Sequence, residues 1–95
     1  MYYEVHLIMR SIPDALSLRV YLTPYDWHYS CIDGDIVCGD KAKLHYVTKH
    51  FDGSWFLEEV EDAMNAMADS LKERGCLIIR RKIEMVVYDR RTVTQ

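Results

Sequence analysis

Residues 55–88, "WFLEEVEDAMNAMADSLKERGCLIIRRKIEMVVY", change their period once. Leu57, Val60, Met64, Met67 and Leu71 recur at spacings of three and four, with Glu58, Glu59, Glu61, Asp62 and Asn65 between them. This pattern predicts an amphipathic helix over 55–74 with one apolar stripe. Ser54 is its expected cap and Gly75 its expected stop. Over residues 76–88 the period falls to two. Leu77, Ile79, Ile83, Met85 and Val87 share one face, broken by Arg81, while Arg80, Lys82 and Glu84 share the other. A long helix that runs straight into a strand needs a sheet to cover.

The rest of the chain supplies one. Residues 43–50 read as a strand, and residues 27–32 as another leading into Asp33, Gly34 and Asp35, a hairpin signal. Ile36, Val37 and Cys38 begin the return strand, and Gly39 with Asp40 interrupts it as a bulge or a second turn. Residues 2–10 alternate, with Tyr3, Val5, Leu7 and Met9 on one face and Tyr2, Glu4, His6, Ile8 and Arg10 on the other. A short helix follows, with Ser11 as cap, Pro13 and Asp14 in its first turn, and Thr23 and Pro24 ending it. The expected fold is α+β: a single ferredoxin-like domain over 1–95, ordered βαββαβ, with two helices on one face of an antiparallel sheet.

Composition narrows the function. The chain has 95 residues, 49% of them hydrophobic, which suits one globular domain. No apolar run is long enough to span a membrane, no signal peptide is expected, and a cytoplasmic location follows. Net charge is −3, so nucleic acid is not an expected partner, although Arg80, Arg81, Lys82, Arg90 and Arg91 concentrate positive charge late in the chain. Cys31, Cys38 and Cys76 give neither a disulfide framework nor a zinc motif and are expected as reduced, mostly buried thiols. Cys31 and Cys38 would face each other only if the hairpin turn centred on Gly34 and Asp35. The tail, residues 90–95, is expected to fray. No metal and no cofactor is expected.

The sheet face opposite the helices is the candidate site. Placing Leu44 and Tyr46 inward puts Lys43, His45, Val47 and Lys49 outward. His6, His45, Lys49, Arg80, Lys82 and Glu84 then share one cationic patch suited to an anion. A polar sheet face that only meets water is the plain alternative. His45 and His50, five apart, point to opposite faces of a strand and cannot chelate one metal. A bend at Asp52 and Gly53 would bring His50 to the start of the long helix, where free N–H groups attract anions.

Sharper motifs fail. Two-histidine phosphoesterases need a hydroxyl two residues after each histidine; His6 is followed by Leu7 and Ile8, and Thr48 comes three after His45. Asp33, Asp35 and Asp40 lack calcium-loop spacing. RNA-binding versions of this fold stack bases on aromatics of the central strands, and residues 43–49 offer none outward in this phase.

"YVTKHFDG" at 46–53, then a long acidic helix, then "RRKIE" at 80–84, resembles a group of small uncharacterised ferredoxin-like proteins of bacteria and their phages. Those carry Thr-x-His-Phe before the helix and Lys-x-Glu in the last strand. The resemblance covers residues 43–88 and singles out Thr48, Lys49, His50, Lys82 and Glu84. It implies the fold and the small size; a compact acidic chain of this kind also suits a phage-encoded accessory protein that blocks or sequesters a host component. Taken together, the leading expectation is a binding module holding a small anionic ligand, such as a nucleotide, on His6, His45, Thr48, Lys49, His50, Arg80, Lys82 and Glu84. A protein–protein module or inhibitor, as a homodimer through Tyr2, Ile8 and Val86, is the second. A phosphodiester hydrolase using His45 or His50 is the third.

Overall fold

The alternation of residues 2–10 produces a central strand. In the computed structural model, which describes residues 1–37 and 40–87, β1 (Tyr2–Ser11) buries Val5, Leu7 and Met9 completely on one face. Helix α1 (Ala15–Leu22) is capped by Asp14 instead of Ser11, which ends β1; the Ser17 N–H donates to Asp14 Oδ2 at 3.1 Å. Pro13 therefore lies ahead of the cap, not in the first turn. Leu18 and Leu22, one turn apart, are its buried residues. A 3-10 turn (Thr23–Tyr25) ends the helix, and Asp26, left-handed at φ 59°, redirects the chain into β2 (His28–Val37).

The hairpin turn is not at Asp33, Gly34 and Asp35. β2 continues to Val37, which pairs with Asp40 at the start of β3 (Asp40–Asp52). The ladder shifts register between Ile32 and Asp35, as at a β-bulge, and pairing resumes beyond it. Cys38, Gly39 and the tail lie outside the described residues. Cys31 is exposed, contrary to expectation; Cys76 is buried, and that burial pushes its thiol pKa up.

Helix α2 (Leu57–Glu73) buries Val60, Met67, Ala68 and Leu71, while Leu57, expected in the stripe, is exposed. Ser54 does not cap it. Its N–H and hydroxyl both donate to Asp52 Oδ1, closing a side-chain turn ahead of the helix. Phe56 holds the cap position, and its N–H donates to Glu59 Oε1 at 3.0 Å. At the other end Gly75, at φ 89°, and Cys76 donate to the carbonyls of Lys72 and Leu71, each at 3.0 Å, a Schellman closure.

In β4 (Leu77–Val86), Ile8 opposes Arg80 but Met9 opposes Ile78, so Ile79 is an extra residue. The irregularity changes the phase: Ile78 packs on the core, and Leu77 and Ile79 are exposed. Arg81 interrupts the apolar face because its guanidinium donates to Asn65 Oδ1 on α2 at 2.7 Å.

The result is an α+β arrangement: a four-stranded antiparallel sheet in the order β2-β3-β1-β4, with two helices. One apolar cluster joins Val5, Leu7 and Met9 to Leu18 and Leu22 of α1 and to Val60, Met67 and Leu71 of α2. Both helices thus serve the same face of β1, and the other face stays open. A hydroxyl pair, Tyr21 with Ser70, ties α1 to α2, and the Arg74 guanidinium lies 3.5 Å from the Tyr21 ring centroid. No helix among the described residues is long and apolar enough to cross a membrane.

Candidate functional site on the open sheet face

Cross-strand partners share a face, so the register of β1 against its two neighbours fixes the site. Three rows result. Thr48, His6 and Lys82 form one; His50, Glu4 and Glu84 the next; Tyr46, Ile8 and Arg80 the third. β2 extends them, with His28 opposite Thr48 and Ser30 opposite Tyr46.

This register overturns the expected phase of β3. His45, Val47 and Lys49 pair with Met9, Leu7 and Val5 and so face the helices, while Tyr46, Thr48 and His50 face outward. Val47 and Phe51 are the buried anchors that enforce the choice. His45 and His50 do lie on opposite faces. His45 leaves the patch to accept or donate a 2.7 Å bond with the Tyr29 hydroxyl, its ring stacked on Tyr29. Burial, with Cys31 beside it, pushes the Tyr29 pKa up. Lys49 leaves it too, reaching the Tyr25 carbonyl at 2.8 Å. The patch is therefore not a cluster of cations: Arg80 and Lys82 stand against Glu4 and Glu84, with His6 and His50 between.

His6 is the centre of that arrangement. Nδ1 lies 3.0 Å from Thr48 Oγ1, and Nε2 lies 3.7 Å from Glu4 Oε1 and 3.8 Å from Glu84 Oε1. A ring protonated on Nε2 satisfies both sides, because the Thr48 hydroxyl then donates to Nδ1 and the proton sits toward the carboxylates. His50 Nε2 is 3.1 Å from the same Glu4 oxygen, and its ring lies 5.5 Å from that of Tyr2. Lys82 Nζ is 2.7 Å from Glu84 Oε1, and this charged hydrogen bond holds the Glu84 pKa below the usual carboxylate range. Arg80 forms no ion pair or hydrogen bond among the described residues. It lines an open concavity of about 310 Å³ together with His6, Ile8, Tyr46, Thr48, Lys82 and Glu84.

Chemically, the concavity offers a guanidinium and an ammonium for an anion, a hydroxyl–imidazole pair, one carboxylate, Glu84, to accept from donors, and an apolar floor at Ile8 and Tyr46. No group of three or more His, Cys, Asp or Glu among the described residues is placed to hold a metal ion. Of the expected site residues, His6, Thr48, His50, Arg80, Lys82 and Glu84 come together; His45 and Lys49 do not. Glu4, expected on this face but outside the expected ligand set, and Tyr46, expected inward, join them. Glu4 was visible in the alternation of β1, and Tyr46 required the phase set by Val47 and Phe51. Thr-x-His and Lys-x-Glu each skip one residue, which on a strand puts both members on one face. Comparison with family models, with curated proteins and with solved structures finds no match.

Proposed function

We propose that the chain is a ferredoxin-like binding module whose open face holds a small anionic ligand with a flat group, of the nucleotide kind. Arg80 and Lys82 take the anion, and the His6 and Thr48 pair bonds beside it. Tyr46 with Ile8 receives the flat group, and Glu84 accepts from a ligand donor. The observation that carries this reading is Arg80: among the described residues its guanidinium makes no ion pair or hydrogen bond, although its charge helps lower the Glu84 pKa, and it faces the same concavity as Lys82, His6 and Tyr46. The concavity's volume is at the lower end of small-molecule sites, roughly 300–1,000 Å³.

A thermal-shift titration with nucleoside monophosphates, cyclic nucleotides and inorganic phosphate tests it. A ligand at about a hundred times its Kd stabilises by roughly 2.7 kcal/mol. In a domain of this size that raises Tm by more than about 10 °C. Replacing Arg80 and Lys82 together by Ala should abolish the shift and leave the fold intact. A shift that survives in the double variant, or a flat response across the panel, refutes the reading.

A second reading, self-association, draws on Trp55, Phe56 and Leu57, three consecutive exposed apolar residues where α2 begins. Sedimentation of the free protein separates the two: a stable dimer supports the second reading and a monomer removes it.

A further inference from the structure

A larger cleft, of about 610 Å³, opens on the other side of the sheet, where the 3-10 turn and the end of α1 meet α2. Tyr21, Tyr25, Trp27, Lys49, Ala63 and Ala66 line it. Nothing in the open-face reading uses it.

Lys49 is the anomaly. Its neighbours on the same side of β3 are Val47 and Phe51, both buried, and its partner on β1 is the fully buried Val5. An ammonium drawn toward an apolar region loses hydration and needs compensation. Here the stem lies against the apolar residues while the ammonium's bond is an exposed one, open to the cleft. Nζ donates to the Tyr25 carbonyl at 2.8 Å and lies 5.3 Å and 6.0 Å from the ring centroids of Phe51 and Trp27. No carboxylate among the described residues forms an ion pair with it. An ammonium has three donors, and the Tyr25 carbonyl takes one. Asp26, the acid in the lining, has its Oδ1 3.3 Å from His28 Nε2 instead.

The walls are aromatic. Tyr21 and Tyr25 have ring centroids 5.6 Å apart, and Tyr21 is held by its bond to Ser70, which also lines the cleft, and by the Arg74 guanidinium. On the α2 side, Ala63 and Ala66 leave open the space that larger side chains would fill. Aromatic walls with a lysine among them, the acid of the lining being paired with His28, favour a ring that carries a negative charge. We propose that this cleft binds a small planar aromatic carboxylate, its ring among Tyr21, Tyr25 and Trp27 and its carboxylate on Lys49. The site is independent of the open face, because Lys49 points to the opposite side of the sheet.

The test is a titration followed by amide and indole NMR signals, using 2-naphthoate, its neutral amide and cyclohexanecarboxylate as probes. The expected result is a saturable change at Tyr25, Trp27 and Lys49 with 2-naphthoate. Each of the other two probes should bind at least about tenfold more weakly, since one lacks the charge and the other the flat ring. Lys49→Met keeps the stem and removes the charge, and should weaken 2-naphthoate to the level of the amide. Ala66→Leu, at an exposed position, should fill the cleft and abolish binding. Replacing Arg80 and Lys82 by Ala should leave it unchanged, which separates this site from the open face. The proposal is overturned if 2-naphthoate gives no saturable change. It is equally overturned if the amide binds as tightly, or if Lys49→Met binds as the native protein does.

Discussion

Val47→Ala is the substitution that most sharply tests which way β3 faces, and the composition of the site depends on that facing. Val47 is 0% exposed, paired with Leu7 of β1, also at 0%, on one side and with Tyr29 of β2 on the other. Truncation removes two methyl groups from water-free surroundings, worth about 1.6 kcal/mol at roughly 0.8 kcal/mol each. Strands hold the site open on both sides, so part of the lost volume persists as a cavity and the total rises to about 2–3 kcal/mol. For a domain of this size the melting temperature should drop by about 10–20 °C. Thr48→Val is the matched control on the opposite face. It is nearly isosteric, removes the 3.0 Å bond to His6, and should cost about 1 kcal/mol or less. Urea unfolding followed by tryptophan fluorescence measures both, with an unchanged m-value showing that the same surface is exposed. Were β3 turned the other way, Val47 would be a surface residue, and its truncation would cost less than about 0.5 kcal/mol. A Val47→Ala cost that small, or a Thr48→Val cost larger than it, refutes the assignment of faces.

Two further outcomes follow from local geometry. Gly75→Ala places a Cβ at φ 89° and 3.2 Å from Pro13 Cγ, and should cost about 1–2 kcal/mol in thermal unfolding; an unchanged Tm would contradict the Schellman closure. Glu84 has a lowered pKa in the folded protein, so its favourable contribution is present above its unfolded value and is lost as pH falls through the lower folded one. Lys82→Met should raise the Glu84 midpoint in an NMR acid titration, whereas a midpoint unmoved by that substitution would mean the Lys82 bond does not form in solution.

The elements with strong, unbroken periods were legible. β1 and α2 appear where the alternation and the three-to-four spacing put them, and Gly75 stops the helix because only a left-handed residue closes that end. β3 departs from its expected phase for a physical reason. Its inward set contains Lys49, so the phase that buries Val47 and Phe51 looks wrong by composition, while Leu44 and Tyr46 look like a better apolar face. The lysine resolves this by laying its stem inward and carrying its ammonium to the Tyr25 carbonyl. The Asp33, Gly34 and Asp35 signal points to a turn because local propensity favours one, but strand pairing extends past it with a shift in register. Ile79 shows the same limit: an extra residue leaves no trace in an alternating sequence until its partner strand is known. The site was legible to the extent that it lay on β1 and on β4 beyond that irregularity, where His6, Arg80, Lys82 and Glu84 hold their expected face.

The most direct test of the open-face site is a backbone-amide NMR titration of the native protein with a nucleoside monophosphate. Saturable changes should centre on His6 and Ile8 of β1, Tyr46 and Thr48 of β3, and Arg80 and Lys82 of β4. The helix-side residues Val47 and Lys49 should move little. Saturable changes centred on the helices, or none on those three strands at millimolar ligand, would contradict a ligand site on the open sheet face.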